Sequence, residues 1–140
     1  MPTLADAIIL AVTAHRDQKD KVGQPYYLHP IRVMTRVHTE TERIVAVLHD
    51  LLEDTDYTES DLRAMGYPEE VLSALDCLTR RPDETYEQFI ELLRPNSIAR
   101  RVKIADLEDN MDLTRLSEID ATHIDRLNRY VRAWHALGVE

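Results

Sequence analysis

Glycine is scarce: the 140-residue chain holds three, Gly23, Gly66 and Gly138, dozens of positions apart. Such isolated glycines cannot supply a GxGxxG turn or a GxxxxGK loop, which excludes Rossmann and P-loop nucleotide binding. Cysteine is scarcer, with Cys77 alone, so no intramolecular disulfide can form. Met1 to Asp6 offers no basic leader segment either, and a reducing cytoplasm is the expected location. Long apolar runs are also missing. The longest, Ala7 to Val12, falls far short of the roughly 20 residues that span a membrane, so a soluble chain is expected. No stretch alternates with period two and no glycine-rich hairpin turn occurs, which leaves little room for strands.

Positive charge is in deficit. Seventeen Lys and Arg stand against 26 Asp and Glu, a net charge of −9. That field repels DNA and polyphosphate unless something local reverses it, so nucleic acid is not an expected partner and an anionic substrate calls for a metal. Residues 1–140 are read as a single domain, 44% hydrophobic. A chain of this mass should keep roughly 7,500 Å² exposed out of about 23,500 Å² when unfolded, enough burial for a real core.

The apolar residues recur at helical spacing. Leu4, Ala7, Ile8, Ala11 and Val12 form a stripe to Arg16 that Thr3 can cap. Gln18 to Pro30 reads as an ordered loop, and Pro30 opens a helix to about His38. A run from Thr41 or Glu42 through Ile44, Val45, Val47, Leu48, Leu51 and Leu52 to Asp54 is apolar over so much of its circumference that it should be the central helix. Thr58 with Asp61 predicts a short helix ending at Gly66, Pro68 opens one to Leu78, and Thr85 with Gln88 caps one to Leu93. Asn96 caps Ser97 to about Met111, and a last helix spans roughly Asp120 to Leu137. The expectation is an all-α bundle with short connections.

The chemistry gathers on the central helix, in Leu48-His-Asp-Leu-Leu-Glu-Asp-Thr55. On a continuous helix Glu53 would lie over His49 and Asp54 over Asp50, bringing three carboxylates and an imidazole to one edge. Desolvated like charges at that distance cost several kcal/mol unless a cation sits among them, which a divalent metal would supply. The bland alternative is a C-terminal histidine and a solvated acidic helix end. Against it, Glu53 and Asp54 at a C-terminus would oppose the macrodipole by about 0.3–1 kcal/mol each. His29, held extended by Pro30, is a further candidate ligand, though a loop histidine is commonly structural or exposed. Asp106 intrudes beside the stripe Ile98, Val102, Ala105, with Asn110 one turn on. Its neighbours Glu108, Asp109 and Asp112 equally allow a solvated acidic face.

The order His29, His49-Asp50, Asp106 resembles the H…HD…D pattern of the HD superfamily of metal-dependent phosphohydrolases. Ala14-His15, Gln18, Lys21, Gly23, Pro25-Tyr26, His29-Pro30, Leu48-His-Asp and Glu53-Asp-Thr55 further resemble the hydrolase domain of the RelA/SpoT family and its stand-alone small alarmone hydrolases, over most of the chain. The resemblance implies a compact HD-domain helical bundle. It also implies one divalent metal, manganese with Fe²⁺ or Zn²⁺ as alternatives, held by His29, His49, Asp50 and Asp106. Imidazole and carboxylate donors with open positions suit such ions. Glu53 and Asp54 are then the pair acting on the nucleophilic water.

Substrate contacts implied in the same way are Lys21, Tyr26, Asn110, Arg126 and Tyr130. Read from spacing alone, Arg126 is a surface charge and Tyr130 a core aromatic. The family's Arg-Lys-Ser before glycine is Asp20-Lys21-Val22 here, and Leu113 replaces a polar residue, which alters the base-recognition side of the pocket. The activity implied is removal of phosphate or pyrophosphate from a nucleotide, in its sharpest form guanosine 3′,5′-bis(diphosphate) 3′-pyrophosphohydrolysis. The alternatives are an HD nucleotidase acting on a deoxynucleotide monophosphate or on NADPH, and a non-catalytic nucleotide-binding module. His38, His123 and His135 lack converging partners, Cys77 and Trp134 read as packing residues, and His15 as a loop-orienting group.

Overall fold

Five helices open with the same reciprocal cap, in which the side chain at the start accepts from the backbone N–H three residues on and is answered by that residue's side chain. The pairs are Thr3 with Asp6, Thr39 with Glu42, Thr58 with Asp61, Thr85 with Gln88 and Asp120 with His123. Each cap stabilises its helix by about 1 kcal/mol. The computed structural model describes residues 1–138. In it α1 (Leu4–Ala14), α2 (Leu28–Thr35), α3 (Glu40–Leu48), α4 (Leu51–Asp54), α5 (Glu59–Ala64), α6 (Glu69–Cys77), α7 (Tyr86–Leu93) and α8 (Ser97–Asn110) precede a 3₁₀ turn at Leu113–Arg115 and α9 (Ala121–Ala136). No strand occurs among the described residues, only an isolated bridge between Lys19 and Pro25. No described helix is long and apolar enough to cross a membrane. The all-α expectation holds.

α3 is the centre, packed on α1, α2, α6 and α8. Ile44, Val45, Ala46, Val47 and Leu48 are all wholly buried, and the larger of them contribute roughly 1.5–3 kcal/mol each by leaving water. The exposed surface, 7900 Å², matches the value expected for a compact chain of this mass.

Two helices differ from expectation. α2 starts at Leu28 and ends at Thr35 instead of near His38, so Pro30 stands within its first turn rather than opening it, and His29 is helical instead of extended. More consequentially, the central helix is not continuous to Asp54. It stops at Leu48 and resumes at Leu51. The backbone N–H of His49 turns to the Ala46 carbonyl at 3.3 Å, and His49 Nδ1 reaches the same oxygen at 2.6 Å. The local competition of a side chain for a helix carbonyl ends the helix there. Glu53 and Asp54 consequently lie in the first turn of a new short helix, and the macrodipole argument against them does not apply.

Glu42 does more than cap α3. Nearly buried, it also accepts from Arg101 Nη1 at 2.8 Å on α8. Burial works against its ionisation, but the N–H groups of Thr39 and His38 and the Arg101 guanidinium outweigh it and lower its pKa. A carboxylate so depressed contributes stability above the ordinary glutamate pKa and loses it as the pH falls through the folded value. Glu42→Ala is expected to lower the melting temperature at pH 7 by about 3–6 °C, equivalent to about 1–2 kcal/mol. The difference from wild type should shrink in scans taken at progressively more acidic pH.

Candidate metal centre

His29 on α2, His49 and Asp50 in the break after α3, and Asp106 on α8 come together at one point. The ligand atoms of His29, His49 and Asp50 lie within 4.8 Å of one another, a group able to hold a metal ion. Asp106 Oδ1 sits between the two imidazoles, 2.8 Å from His29 Nε2 and 3.3 Å from His49 Nε2. The helix break is what turns His49 and Asp50 to the same side, since His49 Nε2 is 3.1 Å from Asp50 Oδ2.

The tautomers follow from the far sides of the rings. His49 Nδ1 faces the Ala46 carbonyl, which can only accept, so Nδ1 carries the proton. His29 Nδ1 likewise donates to Asp109 Oδ2 at 2.7 Å. Each Nε2 faces carboxylate oxygens, an arrangement that calls for a positive charge between them, either a proton on Nε2 or a metal ion. His49 Nε2 is buried and makes no aligned hydrogen bond, although two carboxylates lie near it. An orphaned imidazole nitrogen amid carboxylate oxygens fits a divalent ion.

Electrostatics support the same view. Burial disfavours charge on both histidines, yet the carboxylates around them raise both pKa values, His49 well above the ordinary range. Burial by itself would raise the Asp50 carboxyl, but His49 beside it holds it at about 2. Asp106 is driven well below the usual range, against burial, by Lys103, His49 and His29. The site thus favours positive charge at its centre, whether protons or a metal. Tyr26 donates its hydroxyl to Asp50 Oδ2, and burial together with the Asp50 charge keeps that phenol protonated.

A cavity of about 570 Å³ opens over the cluster, lined by His29, Asp50 and Asp106 and by all five expected substrate contacts, Lys21, Tyr26, Asn110, Arg126 and Tyr130. Asn110 also donates to Asp106 Oδ1 at 3.2 Å, so it faces the cluster as well as the cavity. Eight lysines and arginines line the wall against four aspartates, a local reversal of the −9 total. Glu53 and Asp54 stand outside this wall. Glu53 Oε1 accepts from the Arg80 backbone N–H at 2.5 Å, and the Asp54 backbone carbonyl accepts from Gln18 Nε2 at 2.9 Å. Burial raises the pKa of each, with the Asp50 charge adding to it.

Asp20 has its charge committed elsewhere. Its carboxylate accepts from the N–H groups of Val22 and Gln24 and so builds the turn in which Gly23 adopts a φ of +85°. His15 is buried against Tyr26 and holds Gln18 through Nδ1 at 2.8 Å, consistent with orienting the loop. Sequence reasoning missed several residues. Lys103 pairs with Asp106 Oδ2 at 2.8 Å, and Asp109, read as part of an acidic surface, is wholly buried. Arg129 stacks on Tyr86, 4.9 Å from the ring centre, within the cavity wall. Lys103 and Asp109 flank Asp106 by three residues on either side, the one sequence signal that places them on its face.

No family model matches the chain. It is 31% identical over 107 residues to the guanosine-3′,5′-bis(diphosphate) 3′-pyrophosphohydrolase of Aquifex aeolicus (strain VF5), covering 70% of this chain and 15% of that protein. The protein of the same name from Haemophilus influenzae is 31% identical over 149 residues, covering 94% and 22% respectively. A GTP pyrophosphokinase rsh of Brucella melitensis biotype 1 is 31% identical over 120 residues, covering 77% and 16%. The chain therefore spans less than a quarter of the length of these relatives. A solved structure of a metazoan ortholog of SpoT, one that hydrolyzes ppGpp, superposes with a TM-score of 0.75 at 22% identity, over 98% of this chain and 86% of that one. Its fold is shared. Over most of its own length the chain is therefore similar to one part of these relatives, and it shares the fold of the metazoan SpoT ortholog.

Proposed function

We propose that residues 1–140 form a single HD domain that acts as a metal-dependent phosphohydrolase on a phosphorylated nucleotide, most sharply as a guanosine 3′,5′-bis(diphosphate) 3′-pyrophosphohydrolase of the cytoplasm. One observation carries this reading: His29, Asp50 and Asp106, which converge with His49, line a cavity whose wall is cationic in a chain that is otherwise strongly acidic. The volume, about 570 Å³, lies within the range of small-molecule sites. Neither nucleic acid nor a membrane is part of the proposal.

His29, His49, Asp50 and Asp106 would hold the metal, for which we take Mn²⁺, with Fe²⁺ or Zn²⁺ as alternatives. When bound, such an ion supplies Lewis acidity that neutralises phosphoryl charge and acidifies water at neutral pH. The remaining work falls to the protein. Tyr26 fixes Asp50, and Lys103 occupies the second oxygen of Asp106. Lys21 and Arg126 take up phosphate charge, Asn110 and Tyr130 bound the substrate, and Glu53, backed by Asp54, accepts the proton of the attacking water.

The base side favours a second reading. Val22 and Leu113 line the cavity and are 42% and 36% exposed, so a base there meets aliphatic surface instead of polar partners. A deoxynucleotide monophosphate or NADPH would fit the same phosphate machinery. The test is a panel of these nucleotides incubated with Mn²⁺-loaded protein, with phosphate and diphosphate both assayed. Conversion of guanosine 3′,5′-bis(diphosphate) to GDP and diphosphate is expected. Phosphate release from another nucleotide alone would select the second reading, and no release from any would leave a nucleotide-binding module. On the substrate selected, Arg126→Ala should raise KM by about tenfold, the loss of one charge-assisted hydrogen bond.

A further inference from the structure

Asp109 is wholly enclosed, yet it is neither a proposed ligand nor a proposed base. Burying a carboxylate costs several kcal/mol unless its partners are well placed. Here each oxygen is occupied from α2. Oδ2 accepts from His29 Nδ1 at 2.7 Å and Oδ1 from Arg32 Nε at 2.9 Å. The Arg115 guanidinium adds a third contact from the 3₁₀ turn, with Nη1 3.6 Å from Oδ1 and Nη2 donating to the Asp109 backbone carbonyl at 2.9 Å. The two histidines of the cluster are thus anchored differently. His49 is fixed by a neutral backbone carbonyl, whereas His29 is fixed by a carboxylate that is itself clamped by arginine.

We propose that Asp109 is a positioning residue for His29: by accepting the Nδ1 proton, with Arg32 holding its other oxygen, it sets the tautomer and ring orientation that present Nε2 to a divalent metal. It governs metal affinity without touching the ion. The inference rests on the reading of His29 as a ligand. A carboxylate behind a ligating imidazole fixes the ring and raises its basicity, and its removal typically costs 10–100-fold in affinity. Asp109 and Arg32 can be altered while the four proposed ligands stay intact.

The test uses the metal-stripped protein titrated calorimetrically with Mn²⁺. Asp109→Asn should weaken binding by about 10–100-fold, and Arg32→Leu by a smaller factor of about 3–10. In ¹H–¹⁵N spectra of the Zn²⁺-loaded protein, the His29 Nδ1–H resonance should lie far downfield in wild type and move upfield in Asp109→Asn. His29→Ala, run alongside, separates the two claims. If His29→Ala binds Mn²⁺ as wild type does, the ligand reading fails. If His29→Ala loses Mn²⁺ while Asp109→Asn retains affinity within about twofold and an unmoved resonance, the positioning role alone is overturned. A lower melting temperature with affinity and resonance unchanged would overturn it equally. Should Asp109→Asn fail to fold by circular dichroism, Arg32→Leu decides, because Arg32 is partly exposed and its loss leaves the core intact.

Discussion

Glu53→Gln should lower turnover on the best nucleotide by about 10²–10⁴ with Mn²⁺ affinity unchanged. Glutamine keeps the volume and can still accept the Arg80 N–H through its amide oxygen, so the local fold is preserved. What it loses is the capacity to take a proton. Burial and the charges of Asp50 and Asp54 raise the Glu53 pKa in spite of the Arg80 N–H, which brings it nearer to neutral pH, where a general base works best. Steady-state kinetics and a metal titration on the same preparation decide the matter. Lost metal would make Glu53 a ligand, and unchanged metal and turnover would transfer the base role to Asp54.

The second large effect is expected from His49→Ala. His49 is almost fully buried, and its removal leaves Asp50 and Asp106 facing each other in a desolvated space. Breaking a buried charge cluster by deleting one member typically costs about 3–5 kcal/mol, which for a chain of this size lowers the melting temperature by about 10 °C. A ligand that binds only the folded state stabilises it, by about 2.7 kcal/mol at a hundred times Kd. Mn²⁺ should therefore raise the melting temperature of wild type and leave His49→Ala unmoved. Differential scanning calorimetry with and without Mn²⁺ measures both effects, and an equal Mn²⁺ response in the two proteins would remove His49 from the ligand set.

The helices were legible because capping and periodicity are local. Thr3, Thr58, Thr85 and Asn96 mark their starts within three residues, and the stripes that follow reach the core as expected. The break at His49 was not legible, since it arises from a side chain taking the carbonyl of Ala46, and an apolar run on both sides masks it. The four residues that converge were found through their order along the chain. The groups around them were not, because Lys103, Asp109 and Arg129 look like ordinary surface charges in a sequence where charged residues are common. Only tertiary contact distinguishes a buried aspartate from one that keeps water, as Asp109, wholly buried on α8, and Asp112, partly exposed just beyond it, illustrate. The cationic wall was hidden for the same reason, being assembled from the loop before α2, α2 itself, the connection between α6 and α7, α8, the 3₁₀ turn and α9.

That wall has a consequence for selection by length. Concentrating so many cations in one cavity leaves the remainder of the surface more acidic than the total of −9 implies. A short polyanion that fits within the opening meets net attraction, eight cations against four aspartates. A long one must trail across acidic surface beyond the rim, and each additional phosphate adds repulsion out to roughly 8 Å at physiological salt. If the site takes a nucleotide as proposed, the cations of the wall would draw it in while the acidic surface beyond the rim would turn away a longer strand, with no gate or lid required.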